Sequence, residues 1–276
     1  MAAWLRFILI LVLSLPFGML GYFAPSGLVE RAIKLRSAHP RFVRLAPIVG
    51  LALAIAIYIA IFSALSILRH MALGAHAFDL GVYDQVIWNS SRGRLFEFSL
   101  SESPLATDTL NYLGFHFSPG LLLLVPLYWI VPDARALLVV QTVAIASTAI
   151  PVYLIAKQTL GRRMAALGLA MAYLLTPAIG YINLFDFHSV ALSMPFIALA
   201  FHFLSKREYT RWGILMALAM SFKEDVAVVT VAMGLYIAFR QRKWIAGPAT
   251  VLTGLLWLYL AVEVVIPRFR GNSYYY

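Results

Sequence analysis

The stretch His76-Ala-Phe-Asp-Leu-Gly-Val-Tyr-Asp-Gln85 opens a polar segment, residues 69–133, between two segments that are apolar enough to span a bilayer. Six of the chain's 12 acidic residues fall in this polar segment, and a second motif, Gly114-Phe-His-Phe-Ser-Pro119, lies near its end. The rest of the sequence alternates apolar runs with short basic clusters. We therefore expect the polar segment to be a large outer loop that carries a functional site, with the other segments as its scaffold.

The composition is that of a membrane protein with several spans. Of the 276 residues, 62% are hydrophobic and only 12% are charged, whereas a soluble chain has about 25% charged residues. The net charge of +10 comes mainly from basic clusters between apolar runs. Such clusters mark cytoplasmic loops and not a nucleic-acid surface, so the expected partner is the lipid bilayer. The absence of cysteine excludes disulfides and thiolate metal sites.

These patterns predict an all-α fold, a polytopic transmembrane helix bundle whose outer loop carries juxtamembrane helices. Residues 1–44 are expected to form an extra N-terminal helix and a basic cytoplasmic loop, and residues 45–276 the transmembrane domain. The predicted spans are residues 45–68, 134–156, 164–184 (kinked at Pro177), 190–204 and 244–266. Residues 120–131 are too short to cross, so we expect a juxtamembrane or re-entrant segment there. A polar loop opens just before the chain ends, and the domain is expected to be incomplete at its C terminus.

Lys223-Glu224-Asp225 interrupts the apolar stretch from Trp212 to Phe239. Basic residues flank both ends of this stretch, which places both ends on the cytoplasmic side. Each arm has about 14 residues, or roughly 20 Å of helix, which is less than the ~30 Å hydrocarbon core. We expect a half-length hairpin whose charged apex lies in a polar cavity, since charges within an apolar span usually mark function. A self-compensating structural cluster is the alternative.

The opening motif of the polar segment contains two candidate site residues. Asp79 directly precedes the helix predicted over residues 80–88, and Tyr83, four residues later, lies on the same face as Asp79. Asp79 is either a general base held at the membrane surface or the N-cap of that helix. Asp84 points elsewhere on the helix and is interpreted as a solvated or structural charge.

Two other polar pairs give weaker signals. His116 and Ser118 could hydrogen-bond a phosphate, or His116 could belong to an interfacial aromatic belt. Asp186 and His188 lie at the predicted tip of another outer hairpin, where exposed polar residues are ordinary. The sequence contains no Gly-rich phosphate loop, no His-Glu-x-x-His motif and no Gly-x-Ser-x-Gly elbow, which argues against the enzyme classes that these motifs mark.

The order of these motifs resembles that of the GT-C superfamily of integral-membrane glycosyltransferases. More closely, the chain is similar to a prokaryotic membrane-protein family of unknown function that is thought to belong to this superfamily. The motifs that carry the resemblance are Phe-Asp-x-Gly-x-Tyr-Asp-Gln at Phe78–Gln85, His-x-Ser-Pro at His116–Pro119, Asp-x-His at Asp186–His188 and Lys-Glu-Asp at Lys223–Asp225. The resemblance covers roughly residues 45–270.

The resemblance implies an inverting enzyme that transfers a sugar from a polyprenyl-phosphate donor to an acceptor at the outer face of a prokaryotic plasma membrane. Asp79 would be the general base or orient the acceptor, Asp186 would be its catalytic partner, and the two carboxylates could share a divalent cation. Lys223 would bind the donor phosphate. The other substrate-binding residues would be Tyr83, Asp84, His116, Ser118, Arg135, His188, Glu224 and Asp225. Because the superfamily's C-terminal part is missing, this chain alone could be inactive.

Two other functions stay open at this point. In a transporter or flippase, the intramembrane Lys-Glu-Asp cluster would form the permeation site, although the sequence shows none of the internal repeats that are usual in transporters. A non-catalytic membrane protein is the third function. The catalytic hypothesis alone predicts that Asp79, Asp186 and Lys223 share one cavity, just below the outer surface and open towards lipid.

Overall fold

The computed structural model describes residues 40–75, 77–100 and 110–270. By its contacts the chain divides into Met1–Val49 and Gly50–Tyr276, and the second unit contains all the site motifs. The extra helix and most of the basic loop predicted within residues 1–44 lie outside the described residues, so the predicted domain boundary stays a prediction.

Helices form most of the described chain, which confirms the all-α prediction. The α-helices are α1 (Pro40–Met71), α2 (Ala77–Ser90), α3 (Val125–Ile130), α4 (Ala134–Ser147), α5 (Ala149–Leu160), α6 (Arg163–Leu175), α7 (Pro177–Leu184), α8 (Met194–Ser205), α9 (Tyr209–Met220), α10 (Val226–Phe239), α11 (Ala246–Tyr259) and α12 (Ile266–Arg270). The 3₁₀ turns are Tyr112–Gly114, Pro119–Leu124 and Ser189–Ser193, and a π-helical turn, Leu260–Val265, joins α11 to α12. The short strands β1 (Glu97–Phe98) and β2 (Leu110–Asn111) pair antiparallel, with Glu97 opposite Asn111.

Several helical segments are long and apolar enough to cross a bilayer. Among the described residues these are Leu45–Met71, Ala134–Leu160 and Ala246–Arg270, and a fourth if α6 and α7 form one bent span. The bend between α6 and α7 is 46°, which confirms the kink predicted at Pro177; a proline has no N–H for the helical ladder. The predicted span over residues 190–204 corresponds to the apolar segment Ser189–Ser205, which is shorter than the candidate spans and is not one of them.

The helices α9 and α10 form the arms of the predicted hairpin, and the start of α9 lies beside the end of α10. At the start of α9 the Tyr209 hydroxyl donates a hydrogen bond to Gln241 Oε1, just beyond α10, over 2.8 Å. Gln241 Nε2 in turn donates to the Leu204 carbonyl over 2.9 Å. The arms have 12 and 14 residues, so they are roughly 18–21 Å long, less than the ~30 Å core. The half-length hairpin is confirmed.

Glycines allow α10 and α11 to pack closely as an antiparallel pair. A Cβ added at Gly247 would lie 2.5 Å from the Ala238 Cβ, and one at Gly234 would lie 2.8 Å from the Val251 nitrogen. Lipid provides no hydrophobic drive between helices, so close backbone approach is a main source of stability for such a pair. This pairing fixes the position of α10, whose first residues adjoin the charged apex.

The polar segment folds around a core that also includes parts of the two later motifs. The core side chains include Leu80, Val86, Phe96, Phe98, Tyr112, Leu121, Tyr128, Leu137, Phe187 and Phe222. Phe187 is the middle residue of Asp-x-His, and Phe222 directly precedes Lys-Glu-Asp. Apolar burial therefore brings the polar residues beside these two phenylalanines to the polar segment.

The glycine contact predicts a specific loss of stability. Gly247→Val should lower the free energy of unfolding by about 1–3 kcal/mol, because the new side chain has no space against Ala238. Gly168→Val in α6 is the matched control, since a Cβ there would meet no atom within 4 Å. Thermal unfolding of both purified variants measures the difference, and equal melting temperatures would contradict the close packing.

The charge clusters predict that residues 70–133 face outward and residues 206–211 face the cytoplasm. Because the chain has no cysteine, Ser91→Cys and Ser205→Cys provide single labelling sites. An impermeant thiol reagent applied to intact cells should label residue 91 and spare residue 205. Labelling of residue 205 alone would show that the predicted orientation is wrong.

Candidate functional site

One cavity of about 480 Å³ brings together residues from all four sequence motifs. Its polar lining consists of Asp79, Tyr83, Tyr112, His116, His188, Lys223, Glu224 and Asp225. Its apolar lining consists of Phe78, Val82, Phe98, Phe115, Val228, Leu258 and Val262. Asp79 and Lys223 therefore meet at one cavity, as the sequence predicts, although they come from distant parts of the chain.

The buried carboxylate of Glu224 links the hairpin apex to the end of the polar segment. Only 3% of Glu224 is exposed. His116 Nδ1 lies 2.9 Å from its Oε1, and the Phe117 amide donates to its Oε2 over 3.0 Å. Burial by itself raises the pKa of Glu224, but the hydrogen bonds from His116 and Phe117 outweigh it, so the pKa lies below its ordinary value. The carboxylate is therefore ionised, and His116 Nδ1 carries the hydrogen.

Backbone contacts hold the same two segments together. The Gly120 amide donates to the Ser221 carbonyl over 2.7 Å. A Cβ at Gly120 would lie 2.5 Å from Ser221 Oγ, so this approach requires glycine. On another side of the apex, Ser189 Oγ donates to the Phe222 carbonyl over 2.9 Å. The apex is thus fixed against both the polar segment and the turn that follows Asp-x-His.

A chain of hydroxyl groups forms one wall of the cavity. The Tyr112 hydroxyl donates to the Tyr83 hydroxyl over 2.8 Å. The Tyr83 hydroxyl in turn lies 3.4 Å from Ser189 Oγ. Burial, with a smaller contribution from Tyr83, raises the pKa of Tyr112 well above its ordinary value. The Tyr112 phenol stays neutral and remains a hydrogen-bond donor. The chain connects α2 to the Ser189–Ser193 turn and makes this wall rigid.

Asp79 and Lys223 are cavity groups with few partners among the described residues. Asp79 lies in the first turn of α2, which begins at Ala77, so the alternative that it is the N-cap of a helix starting at residue 80 is wrong. Among the residues that the structure describes, none donates a hydrogen bond to its carboxylate. Lys223 Nζ lies 3.5 Å from Asp225 Oδ2. The cavity therefore offers a carboxylate that can take up a proton and an ammonium group that can bind an anion.

Asp186 has a different environment from the exposed hairpin tip that the sequence suggests. It is 1% exposed, and Arg69 Nη1 donates to its Oδ1 over 3.1 Å and to the Leu184 carbonyl over 2.8 Å. Asp186 is not among the described residues that line the cavity, although His188, two residues later, is. The prediction that Asp79, Asp186 and Lys223 share one cavity is therefore wrong for Asp186, because Arg69 holds its carboxylate outside the cavity lining. A catalytic role for Asp186 stays a prediction.

Three other predicted binding residues lie away from the cavity lining. Arg135 is exposed, and its Nε donates to both oxygens of Asp133, the N-cap of α4, over 2.9 Å. The hydrogen bond from Arg135 keeps the pKa of Asp133 below its ordinary value. Asp84 Oδ1 accepts a hydrogen bond from the Tyr128 hydroxyl over 2.6 Å, and Ser118 is fully buried. Roles for Asp84, Ser118 and Arg135 in substrate binding stay predictions.

Sequence analysis missed Gln141, which positions the Asp-x-His motif. Gln141 is 1% exposed in α4, its Oε1 accepts from the His188 amide over 2.7 Å, and its Nε2 donates to the Asp186 carbonyl over 3.4 Å. His188 Nδ1 donates to the same carbonyl over 2.9 Å, which leaves Nε2 for a ligand. A lone amide in an otherwise apolar span is the signal that could have identified Gln141.

The predicted shared cation does not fit the donor atoms found here. Among the described residues, no group of three or more His, Asp or Glu side chains could hold a metal ion. Asp186, the second of the two predicted ligands, already accepts a hydrogen bond from Arg69. We therefore derive no chemical step through a metal ion.

An apolar groove of about 920 Å³ adjoins the cavity. Its lining includes Ile182, Val190, Ala191, Met194, Ile197, Val226 and Val229. His188, Asp225 and Val228 line both the groove and the cavity. The two spaces together can accept a ligand with a polar head and an apolar tail.

Comparisons with known proteins identify a family but no characterised relative. No curated protein and no solved structure matches the chain. A family model described as "Predicted membrane protein (DUF2079)" matches residues 69–275, which include every residue of the cavity and of the groove. The match covers most of the chain and agrees with its several apolar spans. The chain therefore belongs to the family of predicted membrane proteins DUF2079.

Proposed function

We propose that this protein is a membrane glycosyltransferase of the GT-C type, which transfers a sugar from a polyprenyl-phosphate donor to an acceptor hydroxyl. The observation that carries the proposal is the continuity of a charged cavity with an apolar groove through His188, Asp225 and Val228. A polyprenyl-phosphate sugar has a polar head on a long apolar tail, which stays in lipid. The cavity would hold the head and the groove the first part of the tail.

The donor phosphate would bind at Lys223. Its ammonium group is partly exposed in the cavity. Its one ion-pair partner in the described chain, Asp225, lies 3.5 Å away and is itself largely exposed. His188 lies at the junction of cavity and groove, where its Nε2 can donate to a phosphate oxygen when the ring is protonated. These cations would stabilise the negative charge that develops on the departing phosphate.

Asp79 would act as the general base. An acceptor hydroxyl would lose its proton to the Asp79 carboxylate while its oxygen bonds to the anomeric carbon. The bond from that carbon to the phosphate oxygen would break, and its electron pair would stay on the phosphate beside Lys223. Attack and departure on opposite faces of the sugar invert the anomeric configuration.

The first test compares Asp79→Asn and Lys223→Met. With radiolabelled polyprenyl-phosphate sugars and native membrane extract as acceptor, Asp79→Asn should lower transfer at least about 100-fold and keep donor binding. Lys223→Met should weaken donor binding roughly tenfold or more, through loss of a charged hydrogen bond. Both variants should keep the wild-type melting temperature, because both side chains are partly exposed.

Glu97→Gln is the control, since Glu97 is an outer-loop carboxylate outside the cavity lining. A structural role for Lys223 predicts the opposite pattern for Lys223→Met, a loss of about 3–5 kcal/mol of stability with donor affinity preserved. That pattern would refute the binding role. Translocation of a labelled lipid across proteoliposomes without any glycosylated product would favour the transporter hypothesis.

The second test concerns the groove. Val228→Trp should block the junction of cavity and groove and so weaken binding of a long-chain polyprenyl phosphate. A water-soluble short-chain analogue should bind Val228→Trp almost as well as it binds the wild type, because it needs the cavity alone. Leu235→Trp on the same helix is the control, since Leu235 is exposed and lines neither space. Equal losses for long and short chains would show that the groove does not bind the tail.

A further inference from the structure

Another surface of the molecule combines tryptophan, arginine and aliphatic side chains. We call it the interfacial patch and define it by Trp88, Arg92, Arg94, Trp129 and Ile130. Trp129 is 68% exposed and Ile130 is 80% exposed, which is unusual for side chains of this size facing water. None of these five residues lines the cavity or the groove.

The two arginines of the patch are held against an aromatic ring. The Arg92 guanidinium carbon lies 4.2 Å from the centre of the Trp88 ring, and that of Arg94 lies 5.6 Å from it. Arg94 also donates to Asn89 Oδ1, and its Nε lies 3.8 Å from Glu97 Oε2, so Arg92 is the arginine whose charge is available. Within the described residues the Arg92 side chain has no hydrogen bond or ion pair, so its five N–H donors are available to a ligand.

A hydrogen bond brings the second tryptophan to the same surface. Trp129 Nε1 donates to the carbonyl of Ser91 over 3.1 Å, and Ser91 directly precedes Arg92 in the chain. The end of α3 is thereby fixed beside the loop that follows α2. The result is one continuous surface with a cationic part and an apolar part.

Chain connectivity sets the level of the patch relative to the membrane. Ala134, the first residue of the span Ala134–Leu160, follows Ile130 by four residues. Four residues extend at most ~14 Å, so Ile130 lies close to the point where this span enters the bilayer. Tryptophan and arginine are typical of that level, where an indole ring contacts acyl chains and a guanidinium reaches the phosphates.

We infer that the interfacial patch binds an anionic phospholipid of the surrounding bilayer. The headgroup phosphate would accept hydrogen bonds from Arg92, whose planar guanidinium suits two phosphate oxygens at once. The acyl chain would lie along Trp129 and Ile130. This site is separate from the proposed donor site and does not depend on the glycosyltransferase proposal.

The depth of the patch can be measured because the chain has no cysteine. A nitroxide on Ile130→Cys, in the full chain reconstituted in phosphatidylcholine and phosphatidylglycerol nanodiscs, should be more accessible to oxygen than to a water-soluble nickel complex. The control label on Ser99→Cys, an exposed residue of the same loop region, should show the reverse. A residue 130 label that is water-accessible, or shielded from both reagents by a protein partner, would overturn the inference.

The headgroup preference is read from the same label. Raising the phosphatidylglycerol fraction should shift the spectrum of the residue 130 label, and Arg92→Gln should increase the fraction needed about fivefold. Arg240→Gln, an exposed arginine outside the patch, should leave this local signal unchanged. An equal response to phosphatidylcholine, or the same shift with inorganic phosphate alone, would refute a phospholipid site. The depth measurement tests the inference even if Arg92→Gln does not fold.

Discussion

The site depends on the requirement that the buried carboxylate of Glu224 be fully hydrogen-bonded. An ionised group that is 3% exposed is tolerated only when its oxygens have donors. The donors are His116 and the Phe117 amide, so the hairpin apex and the end of the polar segment can pack in only one register. The close approach of Gly120 to Ser221 reinforces that register. Two walls of the cavity follow from this single constraint.

Much of the fold could be predicted because bilayer thickness and charge placement act on short stretches of sequence. The half-length hairpin is an example, since the length of its arms and the charges that flank it already require both ends on one side. The structure agrees, because the Tyr209 hydroxyl at one end donates a hydrogen bond to Gln241 at the other. Asp186 shows where this reasoning stops. A carboxylate in a polar turn normally faces water, but Arg69, at the end of a helix far away in sequence, covers it. Such a partner is set by tertiary packing alone.

In the candidate site, too, local sequence patterns identified some residues, whereas tertiary packing determines the role of others. The sequence motifs identified Asp79 and Lys223, and apolar burial of neighbours such as Phe222 explains why Lys223 reaches the cavity. Gln141 and Tyr112 were missed, because their importance lies in hydrogen bonds that only the folded chain reveals. Arg135 has a partner that the motifs did not indicate. The resemblance implies a role in substrate binding, which stays a prediction, and in the folded chain the guanidinium donates to the N-cap carboxylate of Asp133, two residues before it.

The short hairpin also has an electrical consequence. Its arms are 12 and 14 residues long, so they cover roughly two thirds of a ~30 Å hydrocarbon core. Where the cavity is open to water as far as the apex, the transmembrane voltage falls mainly over the hydrocarbon beyond it. A charge that moves through the cavity to Lys223 then crosses little of the voltage, whereas a full crossing is worth about 2.3 kcal/mol per 100 mV. The occupancy of this cavity by an anion would thus be largely insulated from the membrane potential.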